Sequence, residues 1–297
     1  MVRLVIPWLL VFFACLARAE PPAVPAYLGQ ARPKAAPRRV VSLAPSLTEI
    51  VFALGAGERV VGVTRFDDYP PAVLALPRVG GFTDPSLEAI LGLQPDLVLC
   101  VPNAGNRPAM EAVVRLGVPV LVLPAERFED VFQAVDALGR ELEVKPAAEA
   151  LIARLRARVA EVEVRVAGRA RPRVLLVYGH KPLVAAGPGT FADEMIRLAG
   201  GRNVLEVKGP SYPTLPMEEV LALAPEVILD AAMSGTGSEV SPEEARQAWS
   251  RWKVLPAVSA GRVHVVDSAV WFRPGPRIVD GLEQLEKLLH PAGSKRP

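Results

Sequence analysis

Apolar positions along this chain alternate between two periods. Short runs at 40–43, 60–63, 96–100 and 118–123 are apolar at nearly every position and rich in valine and leucine. That is the pattern of strands buried on both faces. Between them, 46–54, 85–93 and 106–116 space their apolar residues at helical intervals. Gly55-Ala56-Gly57 stops the first of these helices, and Pro95 closes the second. The alternation resumes later, with strands predicted at 174–178, 204–207, 226–230 and 262–266. Strands that alternate with helices predict parallel sheets covered by helices and linked by right-handed crossovers.

The second half repeats the first. SLEAILGLQPDLVLC at 86–100 lies over PMEEVLALAPEVILD at 216–230, matching Glu88 with Glu218, Leu91 with Leu221, Pro95 with Pro225 and Leu99 with Leu229. Glu49-Ile50-Val51 ahead of Gly55-Ala56-Gly57 resembles Glu194-Met195-Ile196 ahead of Gly200-Gly201. An offset of about 130 residues is too long for a solenoid repeat and fits a duplicated domain. Between the copies, 145–169 reads as one helix of about 22 residues, roughly 33 Å long, with Pro146 in its first turn and Gly168 at its end. Leu151, Leu155, Val159 and Val162 form its apolar stripe, and its arginines are expected to face solvent. The expected fold class is therefore α/β: two Rossmann-like lobes with parallel sheets, joined by a single long α-helix. The N-terminal lobe is placed at 38–144, the linking helix at 145–169, the C-terminal lobe at 170–291 and a tail at 292–297. A single stiff connection predicts limited lobe movement.

The first residues change the charge arithmetic. Arg3 precedes a continuous apolar run at 4–16, and Ala17-Arg18-Ala19 supplies a small-x-small cleavage pattern. About 13 apolar residues are too few to span a bilayer but suit a signal peptide, placed at 1–19, so export is expected. A retained anchor is the alternative, as is lipidation at Cys15, where Phe13-Ala14-Cys15 faintly resembles a lipoprotein box. The 34 basic and 32 acidic residues give +2, and cleavage removes Arg3 and Arg18, leaving a formally neutral mature chain. That balance excludes a strongly basic nucleic-acid binder, and 51% apolar residues exclude a disordered chain. Residues 20–37, rich in proline and alanine, are expected to form a flexible tether. Cleavage also leaves Cys100 alone, a buried small hydrophobe by its place in an apolar run.

Signatures of catalysis are absent: no phosphate-binding loop, no G-x-S-x-G, no H-E-x-x-H and no paired cysteines. No catalytic residue and no bare metal site are expected, since three scattered histidines make a poor ligand set. Aromatics say more. Phe66, Tyr69, Phe82, Tyr178, Tyr212, Trp271 and Phe272 all fall just beyond predicted strands. Open parallel sheets gather ligands there, so these rings either line a cleft between the lobes or anchor ordinary loops. His180 falls in the same zone, and Arg65, Arg107, Lys181, Arg273 and Arg277 lie near such loops. Arg277 opens a helix against the dipole and so is expected to have a specific, structural partner. Glu88 and Glu218 each sit in the first turn of equivalent helices, one on each lobe.

Several stretches resemble a known family: RVVSLAPSLTEIVFALGAGERVVGV at 39–63, Asp68-Tyr69-Pro70-Pro71, residues 79–98, and FRPGPRIVDGLEQLEKLL at 272–289. The chain resembles the cobalamin (vitamin B12) periplasmic binding proteins, of the helical-backbone class of ABC-transporter solute receptors. The resemblance implies a receptor that is not an enzyme, carries no cofactor and acts as a monomer in the periplasm. It would hold a corrinoid between its lobes and hand it to an ABC permease at the inner membrane. It implies ligand contacts from Phe66, Phe82, Tyr212 and Trp271, with Asp68 and Tyr69 in its D-Y-P-P loop, and the strand-end positions add Tyr178, His180 and Arg273 as expected ligand contacts. Glu88 and Glu218 would dock on the permease. Phe82 and Tyr212 stand where some members carry tryptophan, and Val101 replaces another cleft aromatic. A ferric siderophore or haem receptor of the same class is the alternative, with Arg65, Tyr178 and His180 as first contacts. An exported α/β enzyme is the alternative outside the class.

Overall fold

The computed structural model describes residues 24–206, 209–231, 241–266, 268–271 and 273–291. The expected signal peptide, Phe272 and the expected tail lie outside these. In the first half, β1 (Ala26–Leu28), β2 (Val40–Ser42), α1 (Pro45–Ala53), β3 (Val60–Gly62), α2 (Leu87–Gly92), β4 (Leu97–Cys100), α3 (Arg107–Arg115), β5 (Val120–Val122) and α4 (Phe128–Glu141) follow in order. The sheet runs β1-β5-β4-β2-β3, parallel except where β1 pairs antiparallel with β5. After α5 (Lys145–Val166) come β6 (Arg173–His180), β7 (Leu183–Ala185), α6 (Phe191–Leu198), β8 (Arg202–Asn203), α7 (Met217–Leu223), β9 (Val227–Asp230), α8 (Pro242–Ser250), α9 (Pro256–Ser259), β10 (Val263–Val265), α10 (Ser268–Trp271) and α11 (Ile278–Leu289). Here β10, β9 and β6 are parallel neighbours, and β6 pairs with β8 in parallel at its start and with β7 antiparallel at its end.

Strand for strand, β5-β4-β2-β3 and β10-β9-β6-β8 share one order, and the duplication extends to hydrogen bonds. Asp96 accepts the amides of Arg38 and Arg39, while the Arg39 guanidinium donates to the Leu93 carbonyl at the end of α2. Glu226 accepts the Arg173 amide, while the Arg173 guanidinium donates to the Ala224 carbonyl at the end of α7. Gln94 (φ 46°) and Ala224 (φ 41°) take the left-handed conformation just before Pro95 and Pro225. A non-glycine residue there costs about 1–2 kcal/mol, and an arginine on that residue's own carbonyl holds the corner in both lobes.

Two expectations are corrected. Residues 20–37 are not wholly a tether, because β1 lies within them and covers the free edge of β5. Tyr27 anchors β1 by donating to Glu141 of α4, and Arg32 stacks 4.3 Å from the Tyr27 ring centroid. The strand expected at 204–207 lies earlier, at Arg202–Asn203. Asn203 accepts the Leu205 amide on its side-chain oxygen and donates to the Ala186 carbonyl and Asp193, which turns the chain off the sheet. Val207 lies outside the described residues.

The linking helix α5 buries Ala148, Leu151, Leu155, Val162 and Val166 between α4 and α11. On the α4 side, Gly139 admits the close approach, since a Cβ there would sit 2.3 Å from that of Ala148. The helix arginines do not simply face solvent. Arg156 pairs with Glu129 of α4 and lies 4.4 Å over the Phe132 ring. Arg158 bridges Asp280 and Glu283 of α11, and Arg165 reaches the buried Glu286. One helix thus clamps both lobes.

The lobes also share one continuous apolar core, in which the rings of Phe128 and Phe191 stack 6.1 Å apart. Two carboxylates cross the boundary in opposite directions. Glu194 of α6 accepts the Phe128 amide at 2.7 Å, filling an orphan donor at the start of α4. Glu49 of α1, its side chain 2% exposed, accepts from Arg273 at 2.9 Å and from Arg277 at 2.6 and 2.9 Å. Glu49 is therefore the structural partner expected for Arg277. Arg273 also reaches Asp68 at 2.7 Å.

Replacing Glu49 with glutamine leaves two cations facing a neutral group at a buried boundary. The variant is expected to lose about 3 kcal/mol of stability in denaturant titration. A loss under 0.5 kcal/mol would count against the clamp. The Arg273 bond holds the Asp68 carboxyl below the usual carboxylate range, with burial opposing it. Its stabilisation is thus present above the ordinary aspartate range, near pH 4, and is lost as pH falls through the lowered folded value. The gap in Tm between the wild type and Asp68→Asn should close on acidification.

Candidate functional site

Four of the segments that cross between lobes start just past the carboxyl ends of strands: α1 after β2, the Asp68 loop after β3, α4 after β5, and the Arg273 segment after β10. The position that topology assigns to a ligand therefore lies at the boundary of the two sheets. Phe66 stands there in the N-terminal lobe, 53% exposed. Arg65 lies 4.9 Å over its ring and is itself gripped by both oxygens of Asp84 at 2.9 and 3.0 Å. A Cβ at Gly81 would fall 2.3 Å from Asp84 Oδ1 and 2.7 Å from the Arg65 guanidinium, so only glycine leaves room for this fork. Tyr69, exposed on one side, carries the Arg277 guanidinium 4.1 Å from its ring centroid. Phe82 is half-buried against the core, with its carbonyl held by the buried Asn106 amide, which also donates to the Val101 carbonyl.

The C-terminal lobe contributes the end of β6. Val174–Val177 are buried, and Tyr178, Gly179 and His180 are half-buried around a register shift between Val177 and Gly179. Such irregularities re-aim side chains. Tyr178 meets the edge of Tyr212, 5.8 Å between centroids, and burial together with that neighbour pushes the Tyr178 hydroxyl well above the usual phenol range. Tyr212 is 59% exposed. His180 Nε2 lies 2.7 Å from Asp230 Oδ2, an oxygen that also accepts from Trp249 Nε1 at 2.7 Å. The Asp230 bond raises the His180 pKa, with burial opposing it.

The expected residues thus divide. Phe66, Tyr69, Tyr178, His180 and Tyr212 stand at strand ends with faces open or half-open, and Phe82 is half-buried against the core. Trp271 departs from expectation. It is 7% exposed, set between the core and α11, with its indole donating to Gln284 and its backbone 3.0 Å from where a Gly281 Cβ would be. Asp68 pairs with Arg273, and Arg273 pairs in turn with the buried Glu49. Glu88 and Glu218 are exposed in the first turns of α2 and α7. Sequence reading missed Asp230, Trp249, Asp84 and Asn106 as supports. Asp230 carried one signal, a carboxylate at the end of an otherwise apolar strand. Among the described residues no three His, Cys, Asp or Glu gather as a metal cage.

Residues 40–270 match the periplasmic binding protein family. The vitamin B12-binding protein of Vibrio cholerae serotype O1 is 29% identical over 249 residues, 83% of this chain and 87% of that protein. The crystal structure of the periplasmic vitamin B12 binding protein of Vibrio cholerae superposes with a TM-score of 0.75 at 28% identity, covering 88% of this chain and 99% of that one. The periplasmic haem-binding protein BhuT, in complex with two haems, gives a TM-score of 0.75 at 32% identity, covering 84% and 97%. These relatives are binding proteins, not enzymes. With its two parallel-dominated sheets clamped about one long helix, this chain belongs to the periplasmic binding protein family.

Proposed function

We propose that the chain is an exported, monomeric solute receptor of the periplasm that binds cobalamin or a related corrinoid between its lobes and delivers it to an ABC permease at the inner membrane. The observation that carries this reading is the pair of backed, exposed aromatics on opposite lobes. Phe66 is braced by Arg65, and Tyr212 is braced by Tyr178. Rings held in place lose little freedom on binding, so stacking on a large flat ligand is retained as affinity. Relatives named for vitamin B12 binding favour a corrinoid. The likeness to BhuT favours haem as the second reading, with Tyr178 and His180 at the ligand. Ligand contact by Phe82, Asp68, Tyr69 and Arg273 belongs to the same proposal, the last three acting through their ion-paired and stacked faces. Trp271 would act from beneath.

Glu88 and Glu218 support docking. Each is exposed at the start of a helix, one per lobe, and neither has a hydrogen-bond or ion-pair partner among the described residues. Two unpartnered carboxylates at repeat-related positions present a two-point surface to cationic side chains of a permease.

Titrating the mature protein with cyanocobalamin, haem and ferric siderophores tests the reading. A stoichiometric corrinoid complex at micromolar Kd or tighter, about 8 kcal/mol, is expected. Haem binding with no corrinoid response would move the assignment to the second reading. Phe66→Ala and Tyr212→Ala should each weaken corrinoid binding about tenfold, ~1.4 kcal/mol. Reversing the charge at Glu88 and Glu218 together should leave Kd within twofold and abolish uptake by cells. A large rise in Kd instead would sink the docking role.

A further inference from the structure

The hydrogen bonds around His180 fix which of its nitrogens is available. Trp249 Nε1 can only donate, so the Asp230 oxygen it meets is an acceptor, and that same oxygen faces His180 Nε2. Nε2 therefore carries the proton, and in the neutral ring the lone pair lies on Nδ1. Asp230 is 1% exposed, and the Trp249 indole meets the imidazole edge-on at 6.2 Å, so the ring is held from two sides. The His180 side chain remains 21% exposed, and no described group takes Nδ1. A buried carboxylate on one imidazole nitrogen with the other left open is the support that orients metal-ligating histidines and strengthens them as bases.

A bare ion would need several such donors, and among the described residues they do not gather. A metal that arrives with four in-plane nitrogens needs only one more. We propose that His180 Nδ1 is an axial ligand to the cobalt of a bound corrinoid, filling a position that water occupies in corrinoids lacking their own nucleotide base. This rests on the corrinoid reading above. The step is a ligand exchange: the Nδ1–cobalt bond forms, the cobalt–water bond breaks, water leaves, and the oxidation state of cobalt does not change. From the neutral ring no proton moves, because Asp230 keeps the ring's proton on Nε2; the imidazolium would first release its Nδ1 proton to water. Tyr178 and Tyr212 flank the same strand end, so macrocycle stacking and axial bonding would act on one ligand. The receptor would then favour incomplete corrinoids with an open axial position over cobalamins whose axial positions are filled.

Diaquocobinamide and cyanocobalamin serve as probes, read by visible absorption and by calorimetry on the mature protein. Wild type should bind diaquocobinamide with the spectral shift of water replaced by imidazole nitrogen. His180→Ala should lose that shift and weaken diaquocobinamide binding at least tenfold, with a smaller loss for cyanocobalamin. Added free imidazole should restore the shift in the variant-bound ligand. His180→Gln, which keeps a polar side chain at the strand end, should behave like the alanine variant, and thermal unfolding establishes that both fold. Asp230→Asn, which no longer fixes the tautomer, should reduce the shift. Stoichiometric binding of diaquocobinamide to wild type with an unshifted spectrum overturns the inference and leaves the corrinoid reading standing. A shift that survives in both His180 variants also overturns it. Failure of both corrinoids to bind overturns the corrinoid reading and this inference together.

Discussion

Two carboxylates that cross the lobe boundary in opposite directions set the geometry of everything at the site. Glu49 and Glu194 occupy matching places in the two copies, each within the first helix after an initial strand. Each reaches the start of the last helix of the other lobe: Glu49 meets Arg277, which precedes α11, and Glu194 meets the first amide of α4. A buried carboxylate without a partner is far more costly than a broken surface pair. Sliding or opening the lobes would strand the buried Glu49, whereas the partly exposed Glu194 would lose its bond to α4 and keep Arg197 of its own helix. Gly275 lies at this approach, where a Cβ would meet Ser46 and Glu49 in van der Waals contact at 3.4 Å.

This clamp has a consequence for affinity. Asp68 is tied to Arg273 and Tyr69 to Arg277 across the boundary, and α5 ties α4 to α11 through Arg156, Arg158 and Arg165. A site whose walls are already fixed loses little conformational freedom when it is filled. Such an arrangement favours a rigid, flat ligand over one that must be enclosed by large lobe movements. The same network explains why Asp68 and Arg273, apt for ligand contact by position, are already engaged. Their charges hold the frame, and the open aromatic faces are left for stacking.

The duplication was legible because helix-to-strand corners carry their own chemistry. Pro95 and Pro225 follow left-handed residues, and an arginine and an acid recur around each. Strand and helix runs follow apolar period closely where both faces are buried, as in β4 and β9. The misses have local causes. β1 lies in a proline- and alanine-rich stretch whose three residues gain order from the exposed edge of β5 and from the Tyr27 bond to Glu141, both distant in sequence. β8 ends where one asparagine side chain turns the chain, which periodicity does not register. Site residues were located to loops, but exposure depends on tertiary neighbours: Phe66 stands open over Arg65, whereas α11 covers Trp271. The arginines of α5 follow the same rule. Their spacing suggested a solvated face, and only the flanking helices reveal the acids that take them up.

Where the two copies diverge, the site acquires its chemistry. Cys100 and Asp230 occupy the same position in the repeat, each closing a fully buried strand. In the N-terminal lobe the thiol is surrounded by apolar side chains, and burial pushes its pKa up to about 12, so it is inert packing. In the C-terminal lobe a carboxylate stands at that place, and burying it requires donors, which Trp249 and His180 supply. The two copies therefore carry unlike groups at their strand ends. One is an aromatic ring braced by an arginine, and the other is an imidazole oriented by a buried acid. A ligand that uses both must combine a flat apolar surface with an electrophilic centre, a more demanding requirement than two identical lobes would impose.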